Sequence, residues 1–93
     1  MVKMKIPTPL RVYTEGNAEV MVSGETVGEA MNDLTQRFPE LRRHLYNDKG
    51  DLRAFVNLFL NEEDIRQLEG PRTPLKEGDR LVLIPSIAGG IEG

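Results

Sequence analysis

The segment that decides the fold runs from Thr26 to Pro39 and reads TVGEAMNDLTQRFP. Thr26 is a good helix N-cap, and Glu29, three residues later, completes a capping box. Pro39 disfavours the α conformation at the residue before it, so it ends the helix. Between these signals, apolar residues recur at helical spacing on one face: Val27, Ala30, Met31, Leu34 and Phe38. The segment therefore predicts one amphipathic helix over Thr26–Phe38, and Pro39–Leu45 can add one further helical turn.

Short strands are predicted on both sides of this helix. The first pair is predicted to form a hairpin with a long, proline-bearing connection. The segment Ile65–Leu68 is too short to assign as strand or turn. The four predicted strands are Val2–Ile6, Ala18–Val22, Leu52–Leu60 and Arg80–Ile84. One main helix packed on a mixed sheet of four or five strands is an α+β, two-layer arrangement. We expect a single domain over residues 1–85 and a flexible tail over residues 86–93.

The composition excludes several classes of protein. Lys and Arg number 12 against 15 Asp and Glu, and this net charge of −3 argues against binding to nucleic acid. The chain has no cysteine, which removes disulfides, thiolate metal sites and thiol nucleophiles. The longest purely apolar run, Leu81–Ile84, is far shorter than the ~20 residues that span a bilayer. The simplest interpretation is a cytoplasmic protein with no membrane or nucleic-acid partner.

The residues that could act in catalysis have simpler structural interpretations. Glu62, Glu63 and Asp64 are three adjacent acids in a polar segment, which is typical of a solvated turn. The single histidine, His44, lies near a predicted helix end, where a cation complements the helix dipole. Gly24 and Gly28 are not followed by the Gly-Lys-Ser/Thr of a phosphate loop. We therefore expect no catalytic residue of its own, no metal site and no bound cofactor.

The end of the chain is unusual. After Pro85 it reads SIAGGIEG, so three of the nine glycines lie in the last five residues. Adjacent glycines confer high backbone entropy and contribute no side chain to a core. A frayed terminus is the ordinary interpretation of such a segment. Here, however, the pair Gly89-Gly90 lies just beyond the last strand of a one-helix, mixed-sheet domain.

This combination resembles the ubiquitin-like β-grasp family, in particular the prokaryotic sulfur carriers such as the thiamine sulfur carrier and the small subunit of molybdopterin synthase. The resemblance covers nearly the whole chain. It rests on the capped helix Thr26–Phe38, the strand Phe55–Asn61, the turn Leu75–Asp79 and the run Leu81–Gly90. The strand together with the following Asn61–Arg66 is most similar to the sulfur carrier used in cysteine biosynthesis.

The resemblance implies that the tail is a substrate of other enzymes. In this family a ubiquitin-activating-like adenylyltransferase uses ATP to adenylate the terminal glycine carboxylate. The product is converted to a thiocarboxylate, which delivers sulfur to a sulfur-accepting synthase. Glycine has no Cβ, so such a tail can enter a narrow channel. By this resemblance Ala88, Gly89 and Gly90 form the working tail, and Gly90 carries the adenylate and then the thiocarboxylate.

One departure from the family pattern is that Gly90 is not terminal, because Ile91-Glu92-Gly93 follows it. A precursor cut between Gly90 and Ile91 by a JAMM-type zinc metallopeptidase is the preferred interpretation. Three alternatives stay open. The tail can join the protein to lysines of other proteins through Gly90, as in a ubiquitin-like modifier. The extension can be retained in a β-grasp interaction domain without carrier activity. Gly93 can also act alone, although it lacks the Ala-Gly-Gly context.

A carrier of this kind needs an apolar surface on which its partners dock. Alternation along the last strand predicts that Leu81 and Leu83 face the helix and that Val82 and Ile84 face outward. We expect Val82 and Ile84, with Leu58 or Leu60, to form the docking surface on the open face of the sheet.

Overall fold

The main helix, α1, spans Val27–Arg37 in the computed structural model, which describes residues 1–85. Thr26 Oγ1 accepts a hydrogen bond from the backbone N–H of Glu29 at 3.2 Å. Glu29 Oε1 accepts one from the backbone N–H of Glu25 at 2.9 Å. The predicted helix and its capping box are thus confirmed, although the carboxylate reaches Glu25 and not Thr26. A second helix, α2, follows at once over Pro39–Leu45 and confirms the predicted further turn.

Five strands form one mixed sheet beside these helices, as predicted. They are β1 (Val2–Lys5), β2 (Glu19–Val22), β3 (Val56–Leu60), β4 (Glu63–Asp64) and β5 (Arg80–Pro85). Their order across the sheet is β2-β1-β5-β3-β4, in which β1 and β5 are parallel and the other neighbours antiparallel. The predicted β1–β2 hairpin is confirmed, and its connection contains a 3₁₀ helix over Thr8–Thr14.

Two of the predicted assignments differ from the structure by more than one residue. Strand β3 begins at Val56 and not at Leu52, because the preceding residues pair with the end of α2. The backbone N–H of Arg53 donates to the Leu45 carbonyl at 2.8 Å, and Leu52 forms an isolated bridge with Tyr46. The short strand β4 comes from the acidic segment that was predicted to be a turn, and a 3₁₀ helix over Ile65–Gln67 follows it.

The core lies between the helices and the inner face of the sheet. Ala30, Met31 and Leu34 of α1 are buried, and so are Leu81 and Leu83 of β5, as predicted. Burying one large apolar side chain stabilises a fold by about 1.5–3 kcal/mol. Because β5 is the central strand and two of its leucines lie in this core, its position and its outward face are strongly determined.

A tight turn positions the start of β5. Asn61 and Glu62 join β3 to β4 with positive φ angles of 49° and 81°, as a two-residue hairpin turn requires. Asn61 Nδ2 donates to Asp79 Oδ1 at 2.9 Å, and Asn61 Oδ1 accepts from the backbone N–H of Arg80 at 3.0 Å. The hairpin is thereby tied to the residues that lead into β5.

Gly24→Ala is expected to destabilise the fold by about 1–3 kcal/mol, the usual cost of forcing a methyl group into a packed site. A Cβ at this position would lie 2.6 Å from the backbone nitrogen of Ala30 and 2.9 Å from the carbonyl carbon of Glu29. Backbone atoms of α1 cannot yield without moving the helix. Urea unfolding measures the loss, with Ser23→Ala as the neighbouring control that should change stability by less than about 0.5 kcal/mol. Equal stability of the two variants would contradict the close approach.

Candidate functional site

The last described residue, Pro85, marks the root of the predicted tail. The predicted site residues Ala88, Gly89, Gly90 and Ile91 lie outside the described residues. Strand β5 is paired on both sides, and its pairing with β3 continues to the partners Val56 and Pro85. The chain is therefore held between two strands as far as Val82, and by β3 up to the point where the tail begins.

Apolar side chains cluster on the open face of the sheet next to this root. Val82 and Ile84 face away from the helices, as predicted; Val82 is half-buried and Ile84 is 43% exposed. The β3 partner of Val82 is Phe59, which is also half-buried and faces the same side. We call Phe59, Val82 and Ile84 the outer patch.

The assignment of Leu58 and Leu60 to the docking surface was wrong. Both side chains are buried, and they pair with Leu83 and Leu81 on the inner face of the sheet. Phe59 lies between them in the sequence and takes the outward position that sequence reasoning missed. Asn57 could have indicated this position. It is polar, which is typical of the outward face of a strand, and it lies two residues before Phe59 and hence on the same face.

Charged groups surround the outer patch. Lys5 is the β1 partner of Val82 on the side opposite Phe59. On the far side Arg66 donates to the side-chain oxygen of Asn57 and binds both carboxylate oxygens of Asp64, at 3.1 and 2.7 Å. These hydrogen bonds hold the pKa of Asp64 below its usual range. An apolar centre with a charged rim is the layout of a protein–protein interface.

Asp79→Asn is expected to make folding less sensitive to acid. The hydrogen bond from Asn61, assisted by the backbone N–H of Lys76, lowers the pKa of Asp79. A lowered carboxyl pKa stabilises the fold above the unfolded value of ~3.9, and this contribution is lost as pH falls through the folded-state pKa. The Tm of the wild type should therefore fall between about pH 5 and pH 2.

The Asp79→Asn variant should have a lower Tm than the wild type at neutral pH and a smaller drop on acidification. Thermal melts over this pH range provide the measurement. Asp48→Asn is the matched control, because Asp48 is exposed on the turn after α2. Parallel curves for the Asp79 variant and the wild type would show that this carboxyl does not contribute.

The remaining candidates do not converge on a catalytic or metal centre. Glu62 occupies the hairpin turn, and Asp64 is engaged by Arg66. Within residues 1–85, no three acidic or histidine side chains come close enough together to hold a metal ion. His44 stacks on Tyr13 with ring centroids 4.3 Å apart. Gly28 allows Pro71 to approach α1, since a Cβ there would lie 3.1 Å from the Pro71 carbonyl oxygen.

No helix within the described part of the chain has both the length and the apolar composition needed to cross a membrane.

Comparisons with known proteins match the chain over almost its entire length. The sequence model of the ThiS family matches residues 4–90. The sulfur carrier protein CysO of Mycobacterium tuberculosis is 36% identical over 91 residues, which cover 96% of this chain and 98% of the relative.

Two solved structures are similar in fold as well as in sequence. A chain in the crystal structure of the Amycolatopsis orientalis BexX/CysO complex superposes with a TM-score of 0.87 at 36% identity, covering 97% of this chain and 100% of that one. The small archaeal modifier protein 1 of Methanosarcina acetivorans has a TM-score of 0.82 at 33% identity, covering 96% and 95%.

Proposed function

Because the chain belongs to the ThiS family of ubiquitin-like β-grasp sulfur carriers, we propose that it is the precursor of a sulfur carrier that is cut after Gly90. The observation that carries the proposal is the end of the family match, which stops at residue 90 and leaves Ile91-Glu92-Gly93 beyond it. The extension is thus an addition to the shared family sequence, placed directly after the di-glycine.

The proposed chemistry starts with hydrolysis of the Gly90–Ile91 amide. A JAMM-type zinc metallopeptidase adds water across this bond and leaves a carboxylate on Gly90. An adenylyltransferase then lets a carboxylate oxygen attack the α-phosphorus of ATP, and pyrophosphate leaves. Sulfide attacks the resulting acyl carbon and displaces AMP, which produces the thiocarboxylate. A sulfur-accepting synthase takes the sulfur for cysteine or another sulfur-containing metabolite. In this scheme the chain is a substrate and its partners are the catalysts.

The domain serves as the handle by which partners recognise the tail. The five residues after Pro85 that end at Gly90 reach roughly 17 Å when extended at ~3.3 Å per residue. An enzyme that draws this tail into its active site must cover the surface around Pro85, where the outer patch lies. The A. orientalis relative, CysO, is found in a complex with BexX, and a complex of this chain with its own partner fits the same scheme.

An intact-mass measurement on the protein from its native host tests the proposal. We expect a species that ends at Gly90, and a second one heavier by the difference between a sulfur and an oxygen atom. If every molecule from actively growing cells retains Ile91-Glu92-Gly93, the precursor proposal is wrong. That result would favour the β-grasp interaction domain, for which deletion of residues 89–93 should leave the phenotype intact.

A second candidate function is protein modification through Gly90, and the similarity to the M. acetivorans modifier favours it. Both functions use the same activated tail and differ in the acceptor. Arg80 is the last Lys or Arg of the chain, so trypsin would leave the ten residues Leu81–Gly90 on a modified lysine. A search for that isopeptide-linked remnant distinguishes the modifier from a carrier, which leaves none.

A further inference from the structure

A second surface at the tail root lies on the helical side of the sheet. A cavity of about 300 Å³ opens beside Pro85 between the end of α2 and the start of β3. Its walls are largely apolar and include Phe55 and Leu83, whereas its charged and polar lining comprises Arg43, His44 and Arg53. No carboxylate lines it. We call this cavity the root pocket.

His44, one of the residues that line the root pocket, has a buried polar atom without a hydrogen-bond partner among the described residues. Among the described residues, His44 Nε2 is the buried side-chain nitrogen or oxygen atom that forms no hydrogen bond. The imidazole ring is held in place by stacking on Tyr13, at an interplanar angle of 27°. Leaving such a group unsatisfied costs free energy, so a native structure usually supplies a partner for it. Because Nε2 is buried in the free domain, a ligand that accepts a hydrogen bond from Nε2–H becomes that partner only when the imidazole ring shifts toward the cavity.

Two arginines, Arg43 and Arg53, line the root pocket in a chain whose net charge is −3. Arg53 Nε donates to the Arg43 carbonyl at 3.0 Å, which ties the Arg53 side chain to the end of α2. The Arg43 guanidinium forms an exposed ion pair with Glu40, at 3.0 Å. Such an exposed pair contributes little free energy, so it can yield to a better carboxylate partner.

The size and location of the root pocket favour a side chain over a small molecule. Small-molecule sites usually occupy ~300–1,000 Å³, so this cavity is at their lower limit. Pro85 forms part of its wall, and any enzyme that holds the tail must approach Pro85. The two arginines and the unpartnered His44 Nε2 favour an anionic hydrogen-bond acceptor. The largely apolar walls favour an acceptor carried on an apolar stem.

We propose that the root pocket receives the carboxylate of an aspartate or glutamate side chain from the adenylating enzyme, at the mouth of the channel that holds the tail. This inference rests on the proposed carrier function. The carboxylate accepts hydrogen bonds from His44 Nε2 and the Arg43 guanidinium, and its methylene stem packs against Phe55. The enzyme thereby holds the domain on both faces of the sheet, at the outer patch and at the root pocket.

Arg43→Glu tests the proposal in a chain shortened to end at Gly90. With an adenylyltransferase of the same organism, ATP and sulfide, we expect KM for the carrier to rise roughly tenfold or more, with kcat nearly unchanged. Arg42→Glu is the matched control. This neighbouring arginine is absent from the root-pocket lining and lies over the Tyr46 ring at 5.5 Å, so KM should change less than threefold. Circular dichroism and melting curves of both variants check that each one is folded.

His44→Phe provides a second variant, because phenylalanine keeps an aromatic ring for stacking on Tyr13 and removes Nε2. It should also raise KM, by roughly threefold or more. Replacing the matching acidic residue of the enzyme by lysine should restore the activity of the Arg43→Glu chain. If the shortened chain without substitutions gains sulfur and the Arg43 and Arg42 variants have equal KM, the root-pocket proposal alone is wrong. If that unsubstituted shortened chain is not adenylated at all, the carrier function fails as well.

Discussion

A chain shortened to end at Gly90 is expected to form a thiocarboxylate, whereas the full 93-residue chain is expected to form none. In the full chain the Gly90 carbonyl belongs to an amide, which has no carboxylate oxygen to attack ATP. Both proteins are incubated with an activating enzyme of the same organism, ATP and sulfide, and their intact masses are compared. The gain of sulfur should be complete in the shortened chain and at background in the full chain.

Two variants of the shortened chain test whether the reaction needs the unhindered di-glycine end. Gly90→Val places a branched side chain next to the reacting carbon, and a small displacement in an active site can cost about a hundredfold in rate. Ser86→Ala leaves the di-glycine intact and should react like the parent. Sulfur gain by the full chain at the rate of the shortened chain would overturn the precursor scheme, since Gly93 would then be the reactive end.

Ile84→Asp is expected to raise the KM of the activating enzyme for the shortened chain by about thirtyfold or more, the effect of losing a strong interface contact. Ile84 lies in the outer patch, one residue before the root of the tail. A carboxylate there would have to be desolvated against an apolar partner surface. Because the side chain is 43% exposed in the free protein, the substitution should leave the fold intact.

Met21→Asp is the matched control for this substitution. Met21 is also an outward apolar residue of the sheet, and it is 45% exposed. It lies on the edge strand β2, paired with Lys3 and separated from β5 by β1. The KM of the activating enzyme for the shortened Met21→Asp chain should stay within threefold of its value for the shortened chain without substitutions. Equal effects of the two substitutions would mean that the outer patch is not the docking surface and that the added charge acts from a distance.

The two predictions differ in how far the sequence alone supported them. The proposed chemistry of the tail rests on residues that are adjacent in the chain, and the family resemblance pointed to them without any tertiary structure. The docking surface needed residues from different strands. Alternation correctly placed Val82 and Ile84 outward, but Leu58 and Leu60 were assigned to the wrong face and Phe59 was missed.

Gly24 and Gly28 show the same difference between what the sequence reveals and what the structure reveals. Sequence patterns showed only that Gly24 and Gly28 do not form a phosphate loop. The structure shows why small residues are needed there, because the backbone of α1 and the carbonyl of Pro71 lie within about 3 Å of where a Cβ would be. The approach of Gly28 to Pro71 joins segments far apart in sequence, and no local pattern records it.

The sequence by itself therefore determined the features that act over a few residues. These are the capped start of α1, its end before Pro39, the inward and outward residues of β5 and the di-glycine near the end of the chain. Tertiary structure alone decided the late start of β3, the outward position of Phe59 and the root pocket beside Pro85. The physical reason is that alternation shows which residues share a face of a strand. Only pairing with neighbouring strands and packing against the helices decide which face is covered.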